Sequence, residues 1–152
     1  MRKFAVPTLL LVTMFCGCAT APAPRTIVNA FSFDASMDDV WSATVETFAE
    51  LNLPIDNMEK DSGLITTDWI SFSGSGNKEW CDCGGLGMAI EDSRSGKFNV
   101  FVKQTGTTVS LRVNCQFQQR AHLGGTYVNR ECVSTGALEA RLNDLVGSKL
   151  KK

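Results

Sequence analysis

The chain has 152 residues, of which 43% are hydrophobic and 20% are charged, and its formal net charge is −1 at pH 7. This composition is typical of one folded domain, and the length suffices for a self-sufficient hydrophobic core. Proteins that bind the phosphate backbone of nucleic acids carry a surplus of Lys and Arg. Since the chain has 15 basic and 16 acidic residues, we do not expect nucleic acid as a partner.

The beginning of the chain has the layout of an export signal. Arg2 and Lys3 are followed by an uncharged apolar stretch over residues 4–15 and, shortly afterwards, by Cys18. A helix that spans a bilayer core of about 30 Å needs roughly 20 apolar residues, so this stretch is too short to be one. We predict that residues 1–17 are a signal peptide that is removed on export.

Residues 15–18 read Phe-Cys-Gly-Cys and resemble the lipobox of bacterial lipoprotein signal peptides. The lipobox has a small residue directly before the lipidated cysteine, which Gly17 supplies for Cys18, whereas Cys16 follows a bulky residue. The resemblance implies cleavage before Cys18 and a membrane anchor formed by acyl chains on it. Because Ala19 rather than Asp follows, it also implies the outer membrane, with the domain facing the periplasm. An ordinary secreted protein with a free cysteine is the alternative.

Residues 18–25 are expected to be the lipidated cysteine and a flexible tether. Pro22 and Pro24 alternate with small residues in this segment, and such a composition resists both helix and sheet. Fully extended, the residues after Cys18 reach at most about 25 Å. We therefore expect the domain, residues 26–152, to stay close to a membrane surface.

The domain is predicted to begin with a strand over residues 26–33 and a helix over residues 37–51. Apolar residues recur every three or four positions in this helix, and Ser36 is suited to its N-cap. Residues 54–59 and 64–70 are then expected to form a pair of strands around a turn. The helical stripe consists of Met37, Val40, Trp41, Thr44, Val45, Phe48 and Leu51.

Residues 71–87 are rich in Gly and Ser and are predicted to be a loop. Strands follow over residues 97–103 and 109–118, where apolar and polar residues alternate in the pattern of a sheet with one buried face. Residues 126–132 could add a last short strand.

A final helix is expected after an N-cap at Ser134 or Thr135. The element order is then β-α-β-β-β-β-(β)-α, where the bracketed strand is the optional one. An antiparallel sheet with both helices on one face buries these apolar stripes most simply, so the predicted fold class is α+β. The inward residues of the last helix are predicted to be Leu138, Leu142, Leu145, Val146 and Leu150.

Three short segments together resemble the BamC lipoprotein family. They are Val40-Trp41 in the first helix, the Leu-Pro-Ile of residues 53–55, and the Gly-Leu-Ile of residues 63–65, which Thr, Asp and Trp follow. The resemblance implies a helix-grip fold, in which a curved antiparallel sheet holds a long helix, and an accessory role near the machinery that assembles outer-membrane proteins. The matching residues are expected to be structural. This chain departs from the family in having one such domain, a short tether and four additional cysteines.

Those four cysteines are Cys81, Cys83, Cys115 and Cys132. An even number in an exported domain predicts disulfides, because the compartment is oxidising. Three connectivities are possible, and we favour Cys83–Cys132 together with Cys81–Cys115. A bridge from the 81–83 loop to Cys132 would close about 50 residues and stabilise the fold by ~4 kcal/mol. A zinc site and a redox-active Cys81-x-Cys83 pair are alternatives, although the spacing is unusual for both.

The sequence assembles no nucleophile, base and orienting group. His122 is the only histidine and lies in a predicted loop, and Ser134 is better explained as a helix cap. We therefore predict no catalytic residue, no cofactor and no bound metal.

The predicted function is that of a membrane-anchored, non-enzymatic module of the cell envelope. Its lipid on Cys18 would hold the membrane, and its sheet face, sheet edge or long loop would bind envelope proteins. A carrier of small apolar ligands or lipids is one alternative, because a sheet curved around a helix can leave a cavity. A thiol-based redox or metal sensor is the other. Large side chains available to fill the core favour the first function: Trp41, Phe48, Trp69, Phe98 and Phe117.

Overall fold

The computed structural model describes residues 18–72 and 79–151. The predicted signal peptide, residues 1–17, lies outside the described residues, and so does part of the predicted Gly- and Ser-rich loop, residues 73–78. Within the described ranges, no helix combines the length and the apolar character needed to cross a membrane.

The described chain is an α+β domain with two helices and an eight-stranded antiparallel sheet, which confirms the predicted class. The elements in chain order are β1 (Ala30–Phe33), α1 (Met37–Glu50), β2 (Ile55–Glu59), β3 (Leu64–Thr67), β4 (Ile70–Phe72), β5 (Cys81–Asp82), β6 (Ile90–Thr105), β7 (Thr108–Leu123), β8 (Thr126–Ser134) and α2 (Ala137–Lys149).

The strands follow the order β2-β3-β6-β7-β8-β5, and β1 and β4 pair with β7 and β6 respectively. The sequence pattern did not indicate β4 and β5, because two or three residues are too few to show an alternation. It also placed the start of β6 at Lys97, whereas the strand begins at Ile90. The additional residues include Ser, Arg and Gly and have no apolar alternation. Pairing with β7, rather than local propensity, makes them a strand.

The β6–β7 hairpin dominates the sheet. Its strands pair from Ile90 with His122 at one end to Thr105 with Thr108 at the other. Gly106 has a φ of 62° and is the first residue of the two-residue turn, where type II′ geometry favours glycine. This turn fixes the register in which one face of the hairpin carries the apolar side chains of the core.

The hydrophobic core lies between that face and the two helices. Phe98 on β6, Leu111 on β7, Phe48 on α1 and Leu142 on α2 are each at most 1% exposed. The Phe98 and Phe117 rings meet edge to face, with 6.1 Å between their centroids. The remaining fully or nearly buried apolar residues of the core include Val40, Ile65, Val100, Val102, Val109, Val113, Leu138 and Val146.

The opposite face of the hairpin, which we call the outer face, is polar and solvent-accessible. Since successive side chains of a strand point to opposite faces, these residues alternate with those of the core. The outer face consists of Lys97, Asn99, Phe101 and Lys103 on β6 and Arg112, Asn114, Gln116, Gln118 and Arg120 on β7.

Trp69 does not fill the core, contrary to the prediction, because 42% of it is exposed. It follows the end of β3 and lines a groove over the outer face together with Gln116, Gln118 and Glu131. Trp41 occupies the core position expected of it, with 7% exposure.

The two helix caps differ in how well the sequence predicted them. The Ser36 hydroxyl caps α1 as expected, since it accepts a hydrogen bond from the Asp39 backbone N–H at 3.1 Å. The N-cap of α2 is Gly136, not Ser134 or Thr135. Gly136 has a φ of 85°, which favours glycine. The Ser134 hydroxyl instead donates to the buried Glu139 carboxylate at 2.7 Å.

Replacing Phe98 with Ala should lower the free energy of unfolding by about 3–5 kcal/mol, because it empties a packed core position. Phe101→Ala is the matched control, since Phe101 lies on the same strand and is 37% exposed; its loss should stay below about 1 kcal/mol. Urea unfolding of both variants without reductant measures the difference. Equal losses would contradict the assignment of the two faces.

Candidate functional site

Cys18, the predicted lipidation site, is exposed at the start of the described chain. The residues after it have no helix or strand, but they lie against the domain instead of extending away from it. The backbone N–H of Thr20 donates to the Gly85 carbonyl and the Gly85 N–H donates to the Thr20 carbonyl, both at 3.1 Å. Within the part of the chain that the structure describes, only Cys18 and Ala19 precede this contact. An acyl group on Cys18 would therefore begin within about 7 Å of Thr20, not about 25 Å from the domain.

The Arg130 guanidinium fixes the contact from β8. Its two terminal nitrogens donate to the Gly85 carbonyl and to the Thr20 carbonyl, each at 2.9 Å. A Cβ on Gly84 would lie 2.1 Å from the Thr20 carbonyl oxygen, and Gly84 has a φ of 69°. The close approach of the N-terminal segment therefore requires glycine at this position.

A second contact lies at Arg25, at the far end of the same segment. Its guanidinium is 3.4 Å from an Asp82 carboxylate oxygen. The Gly84 backbone N–H donates to the other Asp82 oxygen at 2.9 Å, and this bond, with help from Arg25, holds the Asp82 pKa below its usual range. The segment is thus attached to the domain at both Thr20 and Arg25.

The same region contains a cluster of sulfur atoms. The β5–β8 pairing places Cys81 opposite Ser134 and Asp82 opposite Val133, so Cys83 and Cys132 come next in register. They form a disulfide, with 4.2 Å between their Cα atoms. It is one of the two bridges that we favoured from the sequence.

The other favoured bridge, Cys81–Cys115, is absent, and both residues have free thiols. Cys81 lies on β5 and Cys115 on β7, with β8 between these strands. Two strand spacings of about 4.8 Å separate their backbones, whereas bridged cysteines have Cα atoms less than about 7 Å apart. The sequence could not reveal that β8 intervenes.

Cys81 is a third sulfur beside the disulfide. It is 2% exposed, and its Sγ lies 3.8 Å from the Cys83 Sγ. Burial raises the pKa of the Cys81 thiol, although Arg94, whose Nη1 is 3.9 Å from this sulfur, opposes the shift. The thiolate is the nucleophile in disulfide exchange, so at neutral pH this geometry keeps Cys81 mostly in its unreactive thiol form.

Arg94 is oriented by Glu91, which accepts from its Nε at 2.9 Å and from its Nη2 at 3.1 Å. Residues three apart on a regular strand point to opposite faces. A bulge between Glu91 and Ser93 shifts the register and puts both side chains on one face. Gln119 on β7 also donates to Glu91, at 2.9 Å. No sequence pattern indicated this network, because it depends on a bulge.

Cys115 lies apart from the cluster, on the core face of β7. Burial raises the pKa of its thiol strongly, and the nearby Glu139 carboxylate raises it further. A thiol in such surroundings is chemically inert. We assign Cys115 to the core.

Chemically, three converging sulfurs can do two things. A Cys81 thiolate could attack the Cys83 sulfur, which would form a Cys81–Cys83 disulfide and release the Cys132 thiolate. In the reduced protein, the three sulfurs could bind a soft metal ion. Among the described residues, this trio is the group of potential metal ligands in which all ligand atoms lie within 4.8 Å of one another.

Two other side chains that the sequence suggested, His122 and Ser134, have roles different from those of the clustered cysteines. His122 lies on β7 rather than in a loop, with its ring centroid 5.7 Å from that of Tyr127. Ser134 bonds to Glu139 and to the backbone N–H of Gly136, at 2.7 and 3.1 Å. Both sets of contacts are structural.

Neither a protein-family model nor a curated protein matches the chain. The resemblance to the BamC family therefore stays a prediction from the sequence segments quoted above.

Alkylation of the protein without reductant should label Cys81 and Cys115 slowly in the folded state and fully after unfolding. The physical reason is burial, which raises the pKa of both thiols and limits access. Cys83 and Cys132 should be labelled only after reduction. Peptide mass mapping reads all four sites. Failure to label Cys81 and Cys115 in the unfolded, unreduced protein would instead indicate the Cys81–Cys115 bridge.

Proposed function

We propose that the chain is a lipid-anchored, non-enzymatic module of the bacterial cell envelope that binds a protein partner through its outer face. The observation that carries the proposal is the position of Cys18. It is exposed, follows a lipobox-like sequence, and is separated by one residue from Thr20, which is fixed to the domain. An acyl anchor at this position would hold the domain directly on a membrane.

The groove beside Trp69 supports a protein-binding role. Its lining combines the half-exposed indole with the polar side chains of Gln116, Gln118 and Glu131. Tryptophan surrounded by polar groups is the composition of an interface hot spot, because it offers a large apolar area and its neighbours supply hydrogen bonds. Phe101 and Arg112 extend the outer face next to it.

The BamC-like segments support a more specific partner. If the resemblance extends to function, the partner belongs to the machinery that assembles outer-membrane proteins, and the domain faces the periplasm from the outer membrane. The helix-grip description of the fold belongs to the same proposal.

Packing favours this function over a carrier of apolar ligands. In the described residues, Phe48, Phe98 and Leu142 occupy the space between sheet and helices. A groove of about 800 Å³ lies between β1 and the end of α2, but it is open and has Ser32, Asp34, Asn143 and Asp144 in its lining.

A thiol-based sensor is the second candidate function, and the 3.8 Å separation of the Cys81 and Cys83 sulfurs favours it. Its signature is a Cys81–Cys83 disulfide with a free Cys132 thiol in the same peptide map. The raised pKa of Cys81 predicts that exchange is slow at neutral pH and accelerates as the pH rises, and that the acceleration continues beyond the pH at which an ordinary thiol is fully ionised.

Replacing Cys18 with Ala should abolish lipidation and leave the precursor with residues 1–17 attached, because the modification requires that thiol. Cys16→Ala is the matched control and should be processed and acylated normally. Intact-mass measurement of the membrane fraction from cells that produce each full chain distinguishes the products. Normal acylation of the Cys18→Ala protein, or loss of acylation in the control, would contradict the assignment of the anchor.

Replacing Trp69 with Ala should weaken partner binding by at least ~10-fold, in line with the loss of an interface hot spot. The measurement is affinity capture from envelope membranes, followed by titration of the recovered protein. Met58→Ala is the control, since Met58 is similarly exposed, at 49%, and lies on β2. Equal binding by both variants and the original protein would exclude the groove as the interface.

A further inference from the structure

Exposed apolar side chains gather at the end of the hairpin that lies opposite Gly106. We call this group the distal end: Met88, Ile90, Leu123, Tyr127 and Val128. Their exposed fractions range from 44% for Val128 to 73% for Met88. Single exposed apolar residues are ordinary, but a contiguous set marks a site of interaction with a protein or a membrane.

The strand register places these residues at one end of the sheet, on both of its faces. Ile90 and Tyr127 share one face, and Leu123 and Val128 lie on the other. His122 pairs with Ile90 on one side and with Tyr127 on the other, so that the three form one rung of the sheet. Leu123 pairs with Thr126 at the turn. Beyond this pair, Gly124 and Gly125 have no atom within 4 Å of an added Cβ. The turn therefore projects freely into its surroundings.

The distal end lies next to the point where the chain leaves towards Cys18. Thr20 is bonded to Gly85 and to Arg130. Met88 is three residues from Gly85 and can be at most about 11 Å from it, and Val128, two residues from Arg130, at most about 7 Å. The anchor thus emerges beside the exposed apolar group.

We propose that the distal end contacts the bilayer, with its apolar side chains in the headgroup region of the same membrane that holds the lipid on Cys18. The proposal rests on the lipid anchor proposed above. It commits to a bilayer because about 7 Å of chain separates Cys18 from Thr20, whereas a single helix is about 10 Å across. Beside Thr20, the space between an anchoring membrane and the domain is therefore narrower than one helix of a folded partner.

The polar groups near the distal end suit this position. Tyr127 has an apolar ring and a hydroxyl, a combination that is enriched at membrane interfaces. The Arg120 guanidinium lies 4.2 Å from the centre of that ring and 3.7 Å from an Asp92 carboxylate oxygen. It is half exposed, so its remaining N–H groups can bond to lipid phosphates. The contact would also orient the protein, because the other end of the hairpin, at Gly106, is about 50 Å away along 16-residue strands. The strands would then lie roughly perpendicular to the membrane plane, with the outer face exposed along their length.

The test places the photo-crosslinking residue benzoylphenylalanine at position 88 of the full chain, in cells that process it. Position 58 is the matched control, since Met58 is also an exposed methionine but lies on β2. Membranes are irradiated and the tryptic peptides are weighed. We expect phospholipid adducts at position 88 at least ~5-fold more often than at position 58. Benzoylphenylalanine at position 123, in place of Leu123, is a second probe of the same surface.

Two results would overturn the proposal: equal lipid adducts at positions 88 and 58, or protein adducts in place of lipid at positions 88 and 123. The Cys18 peptide in the same digest reports on the anchor separately. A peptide without acyl chains would refute the proposed lipoprotein, whereas an acylated peptide without lipid adducts at position 88 would refute only the membrane contact.

Discussion

The ladder between β6 and β7 is the interaction on which the other elements depend. Four strands, β1, β3, β4 and β8, pair directly with this hairpin, and β2 and β5 join it through β3 and β8. A slip of one residue would turn every core side chain of the hairpin to the outer face. The turn at Gly106 and the packing of Phe98 against Phe117 both oppose such a slip.

The helices are too short to cover the whole hairpin, so its two halves contribute to different parts of the structure. Helices of 13 and 14 residues are about 20 Å long, whereas each strand extends about 50 Å. The half near Gly106 is covered by helices and forms most of the hydrophobic core. The other half carries β8, the sulfur cluster and the docked N-terminal segment. The fold therefore separates the part that forms most of the core from the part on which the N-terminal segment docks.

The disulfide connects these features. Cys83 directly precedes Gly84 and Gly85, against which Thr20 packs, and Cys132 lies two residues from Arg130, which bonds to Thr20. β5 has only two residues and few ladder bonds of its own. Closing the loop between Cys83 and Cys132 restricts the unfolded chain and holds β5 on β8. In this way the bridge supports the surface on which Thr20 docks.

Local patterns in the sequence predicted the parts of the fold in which local structure and burial agree. The apolar stripe of α1, its Ser36 cap and the alternation along β7 are encoded within a few residues, so their periods reveal them. The same holds for the α+β class. The short strands β4 and β5 and the early start at Ile90 were missed, since pairing with distant strands creates them.

The same distinction between local sequence patterns and long-range contacts applies to the candidate site. The sequence by itself determined that Cys18 ends a lipobox-like motif and which residues of β7 face the core. It favoured the Cys83–Cys132 bridge only together with a Cys81–Cys115 bridge, and left the other connectivities open. Only the tertiary structure decided that β8 separates Cys81 from Cys115, that a bulge brings Glu91 to Arg94, and that Thr20 docks on Gly85. These contacts join residues far apart in the chain, and the strand order and register that create them are properties of the whole sheet.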